Sequence, residues 1–287
     1  MLDLYVNVRN SLDGLLSALR IAISNANNFN TPGYKYTYAS FTTVYNQVLS
    51  AGTESVNPQT IPGSMTIGSM STDFSQGYVS YGTELDVAVV GDGFFVLSGS
   101  AESFDSGGEK ILARSGRFQT DYNNDYLTDA FGRKVFGYKV NANGVVEDSS
   151  LVPIRTGGFS DVGFIDGGIL VSNFKAHKEA VATGDAPPVR TPMYKLALST
   201  VPNKQGLILG DGASYRMTIA SGEMLDPATS GEDSYGDVLG EKLESSNINV
   251  AKVAMDMNLL NRGFSAIQGV IDDINKVFTQ TISKITG

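Results

Sequence analysis

Two apolar stripes at opposite ends of the chain constrain its fold more than any other feature. Tyr5, Val8, Leu12, Leu15, Leu19, Ala22, Ala26 and Phe29 follow alternating steps of three and four. That is the a/d spacing of a heptad, sustained over about three repeats. Arg9, Asn10, Asp13, Ser17, Arg20 and Ser24 lie on the opposite side. The spacing predicts a helix about 37 Å long at 1.5 Å per residue. Near the other terminus, Val253, Met257, Leu260, Phe264, Ile267, Ile271, Ile274 and Phe278 repeat the pattern, with Thr281 filling one step before Ile285. This second helix is expected over 247–285, with Ser245, Ser246 and Asn247 available as N-caps. One apolar helix face is ordinarily core packing within a subunit. Two narrow seams with polar backs are expected to pair with each other and then with further copies.

The first stripe runs into Asn25-Ala26-Asn27-Asn28-Phe29-Asn30-Thr31-Pro32-Gly33-Tyr34-Lys35. Asn tolerates left-handed backbone and suits a helix C-terminus. Pro32 lacks the N–H that a further turn needs, so the helix must stop there. Ala22 and Ala26 are small enough for a neighbouring helix to approach closely. In the second helix, Gly263 and Gly269 each cost about 1 kcal/mol against Ala, and packing has to offset that.

Between the stripes the chain reads as β structure. LDVAVV, FFVL, ILARSGRFQT, RKVFGYKV, GGILVSNF, MYKLALSTV and SYRMTIA are short and punctuated by Gly, Asn and Asp, which is hairpin grammar. The chain has 32 Gly and only 18% charged residues, a mixture that disfavours a helical bundle. The expected class is α+β: N- and C-terminal helices paired as a coiled-coil-like core, with a mainly antiparallel β-rich centre. The expected domains are residues 1–33 with 247–287, an extended linker over 34–81, and the β-rich centre over 82–246. Lys178–Pro192 is expected as a polar surface loop.

A net charge of −9 without a Lys/Arg cluster argues against a nucleic-acid partner. With no cysteine, disulfides, thiolate metal sites and a cysteine nucleophile are excluded. Asp3, Arg9 and Asp13 interrupt any leader-like run. No stretch approaches the ~20 apolar residues of a membrane span. His177 is the single histidine, and a base needs an orienting partner and a pocket. Asp121-Tyr-Asn-Asn-Asp125 begins like a calcium loop, but Tyr126 and Gly132 stand where Gly and Glu should be. An Asx-rich turn is the expectation. Gly91-Asp92-Gly93 has no phosphate-loop spacing and is expected as a tight turn. Glu241 and Glu244 are expected to pair with Lys242 or solvent. No catalytic residue, cofactor, metal or small-molecule substrate is expected.

Four segments carry a family resemblance. NANNFNTPGYK resembles the N-terminal signature of bacterial flagellar rod and hook proteins. ELDVAVVGDGFFVL, ARSGRFQTDYNNDYLTDAFGRKVFGY and LESSNINVAKVAMDMNLLNRGFSAIQGVI are similar to three further segments of that family, in the same order. Ser24, Phe29, Lys252 and Asn261 depart from its pattern, and residues 141–235 match it weakly. The resemblance implies a non-enzymatic axial subunit, exported by the flagellar apparatus without cleavage. It implies polymerisation with itself and with neighbouring rod or hook proteins, the terminal helices lining the core of a helical tube. The assembly residues would be Leu12, Leu15, Leu19, Ala22 and Ala26 on the first helix. On the second they would be Val253, Met257, Leu260, Phe264, Ile267, Ile271 and Ile274. Asn27, Asn30, Thr31, Pro32 and Gly33 would form one motif turn, and Arg262-Gly263 the other motif. Chain length and the stretch Ser50–Gly68 favour distal rod, with hook as the alternative. A secreted β-rich module oligomerised by its helices is the alternative from another class.

Overall fold

The computed structural model describes residues 2–44, 47–50, 59–61, 64–99, 109–121, 125–157, 159, 161–232 and 235–286. The fold is α+β, with helices α1 (Leu2–Asn27), α2 (Phe174–Thr183) and α3 (Val250–Thr286). The chain divides into two compact units. The first holds residues 1–29, 36–73 and 248–287; the second holds 30–35 and 74–247.

In the first unit α1 and α3 pack against each other, and α1 also packs on a hairpin. The hairpin pairs Thr37–Val44 antiparallel with Ser64–Thr72. These strands lie inside the stretch expected as an extended linker, and the middle of Ser50–Gly68 falls outside the described residues. Leu15, Ala18 and Ala22 are buried on α1. Asn25 is buried with them because its amide is matched at both ends. Its Nδ2 donates to the Thr37 carbonyl at 2.6 Å, and its Oδ1 accepts from the Thr37 N–H at 3.1 Å. Tyr36 fastens α3: its hydroxyl donates to Asp256 Oδ2 at 2.8 Å, and Lys252 Nζ sits 4.3 Å from its ring centre. Burial, reinforced by the hydrogen bond to the Asp256 carboxylate, pushes the Tyr36 hydroxyl up to about 12.

The second unit is built on an antiparallel sheet. Its spine runs in the order Val162–Ile165, Ile169–Ser172, Thr191–Leu196, Lys134–Lys139, Phe94–Ser98, Lys110–Ala113, Ser214–Arg216 and Ile208–Leu209. Side chains alternate across a strand, and here both faces are covered. Phe95 and Leu97 point into a core with Val87, Phe118 and Leu196. Val96 packs with Phe136 and Ala197, and Phe94 with Leu112 and Tyr215.

Two expectations are corrected. The start of the expected Lys178–Pro192 loop is the end of α2. Its first N–H groups are capped from a distance: Asp161 Oδ1 and Oδ2 accept from the Lys175 and Ala176 amides at 2.6 and 3.1 Å. Local sequence carries no such signal. α3 starts later than expected, at Val250, with Asn249 Oδ1 accepting from the Lys252 amide at 3.2 Å. Ser245, Ser246 and Asn247 therefore do not cap it.

Candidate functional site: a buried charge cluster

The second unit contains a cluster in which the four family-like segments meet. Glu244 ends the strand Lys242–Glu244, which pairs with Val79–Tyr81 and sets Glu244 opposite Val79. Its side chain is 1% exposed, as is that of Lys35, and Arg114 is buried too. Lys35 Nζ donates to Glu244 Oε1 at 2.7 Å and to the Ser75 carbonyl at 2.7 Å. The Gly77 amide reaches the same Oε1 at 2.8 Å. Arg114 Nε donates to Glu244 Oε2 at 2.6 Å. The Glu244 carbonyl accepts from the Gly33 amide at 2.8 Å.

The rest of the Arg114 guanidinium is spent on the Val90–Phe94 turn. It donates to the carbonyls of Gly93, Val89 and Gly91 at 2.6, 2.9 and 2.9 Å, and to Gln76 Oε1 at 3.0 Å. Gln76 braces the same turn, donating to the Val89 carbonyl and accepting from the Gly91 amide, both at 3.0 Å. A fork of five N–H donors in one plane is what this geometry needs, and lysine could not supply it. The expected tight turn at Gly91-Asp92-Gly93 is thus held by a side chain that follows the strand Lys110–Ala113.

Gly33 explains the turn after Pro32. Its φ is +70°, and a Cβ there would lie 2.6 Å from the Arg114 carbonyl carbon and from the Ser115 nitrogen. Only glycine fits both the left-handed backbone and the close approach. Gly116 is equally confined, since its Cβ would fall 1.9 Å from the Val87 carbonyl oxygen. Tyr215 closes one side of the cluster against Phe74 and Phe94. Burial drives its hydroxyl well above the usual tyrosine range, with Arg114 opposing the shift.

Two cations and one carboxylate are thus withdrawn from water. Buried charges are tolerated when paired and hydrogen-bonded. Both Glu244 oxygens already accept from protein donors, so the geometry suits holding segments together. The expected pairing of Glu244 with Lys242 or solvent is corrected, while Glu241 pairs with Lys178. Asp121 Oδ1 accepts from the Asp125 and Tyr126 amides at 2.8 and 3.2 Å, as in an Asx-rich turn; residues 122–124 lie outside the described residues. His177 is half-buried in α2.

The sequence-derived assembly residues fall on α1 and α3. Leu15, Ala22 and Val253 are buried. Leu12, Leu19, Ala26, Met257, Leu260, Phe264, Ile267, Ile271 and Ile274 are half-buried. Leu15 lies opposite Gly263, its methyls 3.4 and 3.5 Å from where a Cβ would stand, so the crossing leaves room for a methyl group. Asn27, which ends α1, Asn30 and Arg262 are exposed; Thr31 and Pro32 are half-buried and Gly33 is buried. Spacing analysis missed Lys35, Arg114 and Glu244 as a unit, because Glu244 is 209 and 130 residues from its partners. Their one shared mark is that each sits inside a family-like segment.

The chain thus contains a charge-locked β unit and a unit in which the terminal helices pack on each other. Comparison with known proteins places it further. The chain is 26% identical over 272 residues to the flagellar basal-body rod protein FlgG of Agrobacterium fabrum, covering 91% of this chain and 90% of that protein. It is 31% identical over 122 residues to the flagellar hook protein FlgE of Treponema pallidum, covering 40% of this chain and 25% of that one. The FlgE of Helicobacter mustelae gives 30% over 120 residues, covering 39% and 25%. No protein-family model matches the chain. The chain is a relative of the flagellar rod and hook proteins, spanning nearly the whole of the rod protein and about a quarter of each hook protein.

Proposed function

We propose that this protein is a structural subunit of the bacterial flagellar axis, of the distal-rod kind, which polymerises into a helical tube and transmits torque. The observation that carries the rod reading is collinearity: the match to the rod protein runs over 91% of this chain and 90% of that protein. The hook reading rests on matches of about 31% and 30% identity that span a quarter of each hook protein. Export by the flagellar secretion apparatus and contact with neighbouring axial proteins belong to the same proposal.

The terminal helices supply the tube's core in this reading, paired in coiled-coil fashion along the two seams. Several stripe members remain uncovered in the single chain: Tyr5 is 50%, Phe29 45% and Phe278 55% exposed. Burying a large apolar side chain contributes about 1.5–3 kcal/mol. Assembly therefore finishes a burial that one chain leaves incomplete.

Light scattering and electron microscopy of the purified chain test this. Open-ended growth into filaments is expected, and Leu19→Asp or Phe264→Asp should stop it while near-ultraviolet dichroism shows the β unit folded. A closed oligomer of fixed mass would instead favour a binding module oligomerised by its helices. Normal filaments from both variants would remove the terminal helices from the core.

A further inference from the structure

The second unit also holds a cavity of about 310 Å³ that none of Lys35, Arg114 and Glu244 lines. That volume is at the lower end of the range for small-molecule sites, ~300–1,000 Å³. Phe164, Ile165 and Phe174 supply its apolar wall. Phe174, the first residue of α2, is wedged in place: a Cβ on Gly163 would stand 2.4 Å from its ring. Gly240 lets the backbone close in, since its own Cβ would fall 2.4 Å from the Phe164 carbonyl oxygen.

Arg190 and Lys242 bring two positive charges to the same cavity. Arg190 immediately precedes the strand Thr191–Leu196, and its guanidinium carbon lies 5.0 Å from the Phe174 ring centre. Its Nε is buried without a hydrogen-bond partner, and it forms no ion pair among the described residues. Lys242 faces Tyr81 across a strand pair, its Nζ 3.1 Å from that ring's centre, and it too has no carboxylate partner among the described residues. Of the two acids at the cavity, Glu241 pairs with Lys178, and Asp166 Oδ1 accepts from the Gly240 amide at 3.1 Å. With the Glu241 charge cancelled, two cations stand against the single Asp166 carboxylate. Glu241 also holds a left-handed backbone, with φ +51°. Such strain costs free energy outside glycine and collects at ligand sites.

We propose that this cavity binds a monocarboxylate carried on an apolar stem. Arg190 selects the head group: its planar fork matches the two oxygens of a carboxylate, and one of its donors is buried with no acceptor of its own. One net positive charge suits a singly charged acid better than a phosphate dianion. The stem lies against Phe164 and Phe174, where burial of apolar surface is favourable. The carboxylate belongs to a free organic acid or to a glutamate side chain of a bound peptide, and its chemistry at Arg190 is the same for both. This site does not rest on the polymer reading above, and either can fail without the other.

Fluorine NMR of 4-fluorobenzoate, a probe with this head and stem, measures binding to the purified chain. Line broadening that saturates at millimolar probe is expected, and 4-fluorobenzyl alcohol, which lacks the charge, should show none. Arg190→Met should weaken binding by about tenfold or more; Arg190→Lys, which keeps the charge and loses the fork, should weaken it by about threefold or more. Unchanged near-ultraviolet dichroism shows that the variants fold. Lys139→Gln, which removes an exposed cation outside the cavity, should leave binding unchanged. Displacement of the probe by N-acetylglutamate α-amide at lower concentration than by benzoate assigns the carboxylate to a peptide; the reverse order assigns it to a free acid. Absence of saturable broadening, equal broadening of the alcohol, full binding by Arg190→Met or Arg190→Lys, or displacement by inorganic phosphate at lower concentration than by either acid overturns the site.

Discussion

Replacing Glu244 by Gln keeps the shape of the side chain and removes the one negative charge of the cluster. Lys35 and Arg114 then face each other without compensation, while both remain tied to their other acceptors. The Gln amide nitrogen must also meet a donor, either the Lys35 ammonium and Gly77 amide or the Arg114 Nε. Breaking a buried ion pair by removing one partner costs about 3–5 kcal/mol. For a unit of this size each kcal/mol lowers Tm by about 2–4 °C, so the β-unit transition should fall by about 6–20 °C. Calorimetry, with tyrosine near-ultraviolet dichroism to assign the transition, measures it; the chain has no Trp to interfere. Lys35→Met provides the internal comparison. It leaves Glu244 paired with Arg114, so it should cost less than Glu244→Gln. A Tm change below about 3 °C for Glu244→Gln, or a larger loss for Lys35→Met, would refute the argument from charge balance.

Gly33→Ala places a Cβ against the Arg114–Ser115 backbone at a left-handed φ. It should destabilise the β unit by at least about 1–2 kcal/mol, read as a lower urea midpoint at unchanged slope. Tyr36 gives a pH dependence of known sign. Its folded-state pKa is raised from 10.0 to about 12, so its contribution is complete below about pH 10 and is lost as pH rises through about 12. Absorbance titration at alkaline pH should show late-ionising tyrosines, Tyr36 and Tyr215 among them, and Tyr36→Phe should remove the part of that late step near pH 12; a normal titration of all tyrosines would contradict the burial argument.

Periodicity made the terminal helices legible, because seams such as Leu15–Ala22 and Val253–Phe264 repeat locally. The strands Phe94–Ser98 and Lys134–Lys139 were legible for the same reason, being short apolar runs bounded by turn residues. α2 was not, since the carboxylate that starts it comes from Asp161, outside the helix. Asn25 was read only as part of a helix-ending run, yet it is buried and bonded to Thr37. The cluster was the least legible feature. Lys35, Arg114 and Glu244 look like ordinary surface charges in sequence, and only the meeting of distant strands removes them from water.

The lateness of Glu244 in the chain bears on the order of events as the polypeptide emerges. Lys35 and Arg114 are made early and must wait for a counter-charge 209 and 130 residues further on. Until that residue arrives, the two cations repel and the Val90–Phe94 turn lacks its brace. The keystone strand Lys242–Glu244 comes after every other strand of the unit. A nascent chain therefore lacks the last tie of its β unit almost until its final helix is made.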